Sequence, residues 1–114
     1  MRICGIDPGS NGALCVLDSQ DPAYIALLDL KKATVWDIYH ELFTRQPDSI
    51  WIEDVHSLFG MSAKSNFTFG RNLGIVHAIS EINCFGRIPN TVAPKVWQKF
   101  IGVTVKGKAI KKQV

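Results

Sequence analysis

The sequence predicts an α/β domain: a five-stranded mixed sheet flanked by helices, antiparallel through its first three strands and parallel where helices cross over. Three observations carry this. Met1–Leu30 holds three short apolar runs separated by turn clusters. Apolar residues then recur at spacings of three and four in Thr34–Gln46 and again from about Asn66 to Cys84. Short strand-like runs at Ser49–Asp54 and Arg87–Val92 complete the order βββαβαβα.

The chain is organised around Met1–Asp18, MRICGIDPGSNGALCVLD. Ile3, Cys4 and Ile6 form a short strand, Asp7-Pro8-Gly9-Ser10-Asn11-Gly12 is dense turn chemistry, and Ala13–Leu17 returns. This hairpin leaves Asp7 at the carboxyl end of its first strand, where ligands and metals gather in α/β sheets. Ser19-Gln20-Asp21-Pro22 then turns the chain into a third strand, Ala23–Leu30.

In Thr34–Gln46, residues Val35, Ile38, Tyr39, Leu42 and Phe43 share one helical face, Thr34 is the N-cap and Pro47 stops the helix. Ser49–Asp54 is apolar without alternation, the pattern of a strand buried on both faces, and it ends in Glu53 and Asp54. Val55–Ser65 reads as a loop. The helix that follows, about Asn66 to Cys84, has one stripe of Phe69, Leu73, Val76 and Ser80 beside another of Ile75, Ile79 and Ile82. Gly70 and Gly74 each cost that helix roughly 1 kcal/mol relative to Ala. Close approach of a second backbone across a subunit interface would account for them, as would a loosely wound helix start.

Arg87–Val92 fits an edge strand because it contains Pro89. Pro94–Ile101 is a short helix with Pro in its first turn and Gly102 at its end. The closing VTVKGKAIKKQV is basic and begins a further helix. Trp36, Trp51 and Trp97 read as core residues, and His40 and His77 as structural.

A chain of 114 residues makes one domain, residues 1–114. Apolar residues make up 46% and both charge signs are present, which excludes a disordered chain. No apolar run approaches the ~20 residues of a membrane span, so no membrane association is expected. No basic leader precedes a hydrophobic segment. Cys4, Cys15 and Cys84 lack metal-type spacing and read as free thiols of a reducing cytoplasm.

Net charge is only +3, but it is lopsided. Through Asp54 there are nine acids and four bases; from Val55 onward there are nine bases and the single acid Glu81. This asymmetry points to a polyanionic partner, against the alternative of a solubilising basic face.

Asp7 and Glu53 close two neighbouring strands. A right-handed crossover through Thr34–Gln46 would set Ser49–Asp54 parallel to the first strand, so both acids would emerge at one end of the sheet. Two carboxylates there suit Mg²⁺, which keeps waters or phosphate oxygens in its remaining positions. The alternative is that Asp7 merely caps its turn and Glu53 lies on the surface.

GlyIleAspProGlySerAsnGlyAla, then IleGluAspValHis, then a long helix containing GlyArgAsnLeuGly, resembles the RuvC family of Holliday-junction resolvases, phage-type members in particular. The likeness runs from Met1 to about Phe100. It implies a ribonuclease H-like fold and a metal-dependent endodeoxyribonuclease that resolves junctions in DNA recombination and repair. By position, Asp7 would bridge two Mg²⁺ ions, or Mn²⁺ in their place, and Glu53 would hold one of them. One ion would activate a water and the other would stabilise the leaving 3′ oxygen. The implied partners are a four-way or otherwise branched DNA and a second copy docked through the Asn66–Cys84 helix. The implied setting is the cytoplasm of a bacterium or of a phage-infected host cell.

The resemblance also implies one or two further carboxylates on a last helix, whereas no acid follows Glu81. Asp54, next to Glu53, would point to the opposite face of the strand. The chain therefore reads as a C-terminally truncated form, with weak or no cleavage by itself. His56, Leu58 and Phe59, bordering Glu53, are candidates for stacking against bases at an opened junction, at ~1–3 kcal/mol per base; Phe59 folded into the core is the alternative. Lys64, Arg71, Lys95, Lys99, Lys106, Lys108, Lys111 and Lys112 are candidate phosphate contacts.

Two other functions compete. One is a branched-DNA-binding module without cleavage. The other is a phosphate-binding fragment of the actin-like ATPase or sugar-kinase kind, whose Asp-x-Gly-Ser turn is similar. That class needs two lobes, and 114 residues do not supply them.

Overall fold

The computed structural model describes residues 1–55 and 60–102. Its elements are β1 (Arg2–Ile6), β2 (Ala13–Asp18), β3 (Asp21–Asp29), α1 (Val35–Arg45), β4 (Ser49–Glu53), α2 (Ala63–Asn83), β5 (Asn90–Val92) and α3 (Pro94–Phe100). They form one five-stranded sheet in the order β3-β2-β1-β4-β5. β1, β2 and β3 pair antiparallel, and β4 runs parallel to both β1 and β5. The expected α/β architecture is the observed one.

Alternation along the strands decides which face is covered. Cys4 and Ile6 of β1, Leu14 and Val16 of β2, Ala26 of β3, and Ile50 and Ile52 of β4 are buried on one face. There they join Ile38 and Leu42 of α1 with Val76 and Ile79 of α2 in a single cluster. The Cys4 thiol lies within it, and burial pushes its pKa up to about 12, so it stays protonated. The opposite face is open: Ile3, Leu17, Ile25, Leu27 and Trp51 are 39–70% exposed. β4 is thus buried on one face, not two, because among the described residues no layer covers Trp51. Its sequence lacks visible alternation only because Trp51 is itself apolar.

Local chemistry explains the element ends. Thr34 and Asp37 form a reciprocal capping box, with Thr34 Oγ1 accepting the Asp37 N–H at 3.1 Å and Asp37 Oδ2 accepting the Thr34 N–H at 2.8 Å. Gln46 closes α1 in the left-handed region at φ 47°, just before Pro47. α2 begins at Ala63, three residues ahead of the expected Asn66, because the Ser62 hydroxyl caps the Ser65 N–H at 3.1 Å. The expected Arg87–Val92 strand shortens to Asn90–Val92.

The amino-terminal end of the sheet is tied by charge. Arg2 donates to the Arg45 carbonyl at 2.9 Å and lies 4.4 Å from the Tyr24 ring centroid, while Arg45 pairs with Glu41 at 2.9 Å. The carboxyl end carries Asp7 and Glu53. Among the described residues, no helix is long and apolar enough to cross a membrane.

Candidate active site

Asp7 is held by the turn that follows it. Its N–H donates to the Ala13 carbonyl at 2.9 Å, which closes the hairpin. Pro8 is fully buried beneath, and the Gly9 N–H donates to Asp7 Oδ1 at 3.0 Å. Gly12 N–H then returns to the Gly9 carbonyl at 2.9 Å. A side chain at residue 12 would collide with the Asp7 carbonyl, so glycine is required there by close approach rather than by its φ. This packing fixes the Asp7 backbone while leaving its side chain exposed.

Glu53 arrives by register. β1 and β4 pair Ile6 with Ile52, so Asp7 and Glu53 are the next residues on two parallel neighbours. Adjacent strands lie about 4.8 Å apart, so the two residues emerge side by side at the carboxyl end of the sheet. On the far side, Trp97 of α3 donates its indole Nε1–H to Glu53 Oε1 at 3.0 Å. Burial raises the Glu53 pKa above the ordinary range; the Trp97 hydrogen bond opposes this, and the Asp7 charge adds to it. The mutual repulsion of two nearby carboxylates is what a cation between them would relieve.

Each carboxylate has one oxygen engaged, Asp7 Oδ1 and Glu53 Oε1, and one without a hydrogen-bond partner among the described residues. Two such oxygens suit a hard cation that keeps water or phosphate in its other positions. They do not make a full protein cage. No group of three or more His, Cys, Asp or Glu side chains able to hold a metal occurs among the described residues. Asp54 follows at the end of β4, its N–H donating to the Val92 carbonyl of β5 at 2.8 Å.

An open cleft of about 660 Å³ lies beside Asp7, between the Gly9–Gly12 turn and the start of α2, and Lys64, Ser65 and Thr68 line it. Lys64 therefore lines the same cleft as Asp7. Arg71, two turns along α2, lines a second cleft with Gly9 and Ser10. Lys95 and Lys99 are exposed on α3, one helical turn apart, and line neither cleft. His56, Leu58 and Phe59, with Lys106, Lys108, Lys111 and Lys112, lie outside the described residues.

Trp97 is the site residue that sequence reasoning missed. Assigned to the core with Trp36 and Trp51, it is half-buried at the carboxylate, while Trp36 and Trp51 are 66% and 42% exposed. Trp36 lies on the outer side of α1, beside Tyr39 with ring centroids 5.7 Å apart. A tryptophan buried only in part still needs a partner for its N–H, and a carboxylate at a strand end was available.

Two solved structures share this architecture. Thermus thermophilus RuvC in complex with a Holliday junction substrate superposes with a TM-score of 0.64 at 15% identity, covering 90% of this chain and 71% of that one. A second Thermus thermophilus RuvC structure gives 0.60 at 18% identity, covering 96% of this chain and 75% of that one. No protein-family model and no curated protein sequence matches the chain. The fold is the ribonuclease H-like fold of those RuvC structures.

Proposed function

We propose that this chain carries the nuclease fold of a metal-dependent, structure-selective endonuclease that resolves four-way or branched DNA. The observation that carries this reading is the parallel register that makes Asp7 and Glu53 the next residues at the carboxyl ends of two neighbouring strands. The likeness to a RuvC structure holding a Holliday junction supports the choice of DNA substrate.

In this reading, Asp7 and Glu53 would hold Mg²⁺ or Mn²⁺, each having one carboxylate oxygen that Gly9 or Trp97 does not engage. Such an ion would supply Lewis-acid stabilisation and a lowered water pKa for phosphodiester hydrolysis. Gly9 orients the Asp7 carboxylate, and Trp97 opposes the protonation of Glu53 that burial favours. The chain's other acids after Glu53 are Asp54 and Glu81, so a third or fourth carboxylate of the kind the resemblance implies is not among its remaining residues. A second copy docks on the outer face of α2, where Gly70, Gly74 and Ala78 are exposed beside Phe67, itself 75% exposed. Two such copies place two sites on opposed strands.

A second reading, a branched-DNA binder without cleavage, draws on the absence of a third ligand among the described residues. Fluorescence anisotropy with a four-way junction and a linear duplex of equal length tests the common part. The junction binds more tightly; equal affinities remove structure selectivity from both readings. Calorimetric titration with Mn²⁺ separates them: the chain binds the ion and Asp7→Asn does not. Equal binding by that variant removes Asp7 from the metal site.

A further inference from the structure

The two clefts described above adjoin at the β1–β2 turn. The cleft at Asp7 and the cleft of about 320 Å³ between α1 and α2 share Gly9 and Ser10 as a common wall. Together they run from the carboxylate, over the β1–β2 turn, along one flank of α2 and up to the residues that precede α1. Lys64, Thr68, Arg71 and Asn72 recur along that flank at helical spacing. The far wall of the second cleft carries Lys31.

Charge along this path is unbalanced. Among the described residues, Asp7 at its start is the one acid in the lining of either cleft, and Lys64, Arg71 and Lys31 follow. Among the described residues these three cations are exposed and form no ion pair. The charged pairs instead tie the N-terminus, Arg2 and Arg45 at the opposite end of the sheet. The nearby acids are already engaged. Asp29 Oδ1 accepts the Lys31 N–H at 2.9 Å, and Asp37 Oδ2 accepts the Thr34 N–H at 2.8 Å. Lys64 and Arg71 stand seven residues apart, a rise of about 10 Å along the helix. That matches roughly three nucleotides of a stacked strand at about 3.4 Å each.

We propose that this path is the exit track for one DNA strand, whose phosphates pass Lys64, then Arg71, then Lys31 as the strand leaves Asp7. Ser10, Thr68 and Asn72 offer neutral hydrogen bonds along it, so the track holds backbone without reading sequence. Lys31 thereby joins the DNA-contacting residues although it lies in the acidic half of the chain. The track rests on the nucleic-acid reading above, and it makes a claim of its own about which cations are used.

The test is the salt dependence of binding to a four-way junction by the full chain, for Lys31→Ala, Arg71→Ala and Lys32→Ala. Lys32 is the adjacent exposed cation that lines neither cleft. Losing one phosphate contact reduces the slope of log K against log salt by roughly 0.7 to 0.9. Lys31→Ala and Arg71→Ala each show that reduction, additively in the double variant, and Lys32→Ala keeps the wild-type slope. If the chain binds the junction but Lys31→Ala and Arg71→Ala keep the wild-type slope, the track is wrong and the nuclease reading stands. An equal loss in Lys32→Ala also overturns it, because a diffuse basic surface then accounts for binding. Absence of any junction binding overturns both.

Discussion

The Trp97 indole N–H donates to Glu53 Oε1 at 3.0 Å, across 44 positions of sequence. This bond links α3 to the end of β4 and makes the short helix part of the carboxylate site. It also opposes the effect of burial on Glu53. Desolvation favours the protonated acid, whereas a hydrogen bond to the carboxylate favours the charged form that a cation requires.

Trp97→Phe keeps most of the ring and removes the donor. The Glu53 pKa then rises further, read as a shifted carboxyl titration by NMR. Stability falls by about 1 kcal/mol for the lost hydrogen bond. A Glu53 titration unchanged in the variant would show that the indole does not set the carboxylate's protonation.

Glu53→Gln probes the same balance from the other side. Because the Glu53 pKa is raised in the folded state, folding takes up protons, and the ionised carboxylate lowers stability at neutral pH. The neutral amide removes that effect and can still accept from Trp97. In EDTA, the urea midpoint of the variant lies above wild type at pH 7. The difference closes as pH falls below the ordinary glutamate range. A gain of equal size at both ends of the titration would assign it to packing instead.

Gly12→Ala forces a Cβ against the Asp7 carbonyl, so the hairpin must open. Overpacking of this kind costs typically 1–3 kcal/mol. Chemical denaturation reads the loss. The Asp7 amide should also lose hydrogen-exchange protection, since its bond to the Ala13 carbonyl closes the same turn. Wild-type stability in the variant would mean that the turn relaxes freely and does not hold Asp7.

Thr34→Ala removes the hydroxyl that caps α1 at the Asp37 N–H. The expected loss is ~1 kcal/mol, measured by urea denaturation.

Much of the fold was legible because its signals are local. Asp7-Pro8-Gly9 and Gly12 are turn residues by their own chemistry, and Thr34 and Pro47 bracket α1 in sequence as they do in space. The three antiparallel strands follow from short connections. Glu53 could be placed beside Asp7 because a helix between strands favours a parallel return. What escaped were features that depend on what lies opposite. Ile50, Trp51 and Ile52 are all apolar, so sequence gave no sign that one face of β4 is open. Trp97 carried no mark that separated it from a core residue. The start of α2 was misplaced because Ser62 follows Gly60 and Met61, which read as loop.

The sequence by itself determined the order of elements, the Asp7 turn, and the presence of a second carboxylate closing a later strand. Periodicity, capping and turn preference act over a few residues and are written into neighbours. Only the tertiary structure decided that Trp97 meets Glu53, that one sheet face is uncovered among the described residues, and that Lys31 lines a cleft with Arg71. Each of these joins residues tens of positions apart, where helix packing and strand register set the distance and no local preference reports it.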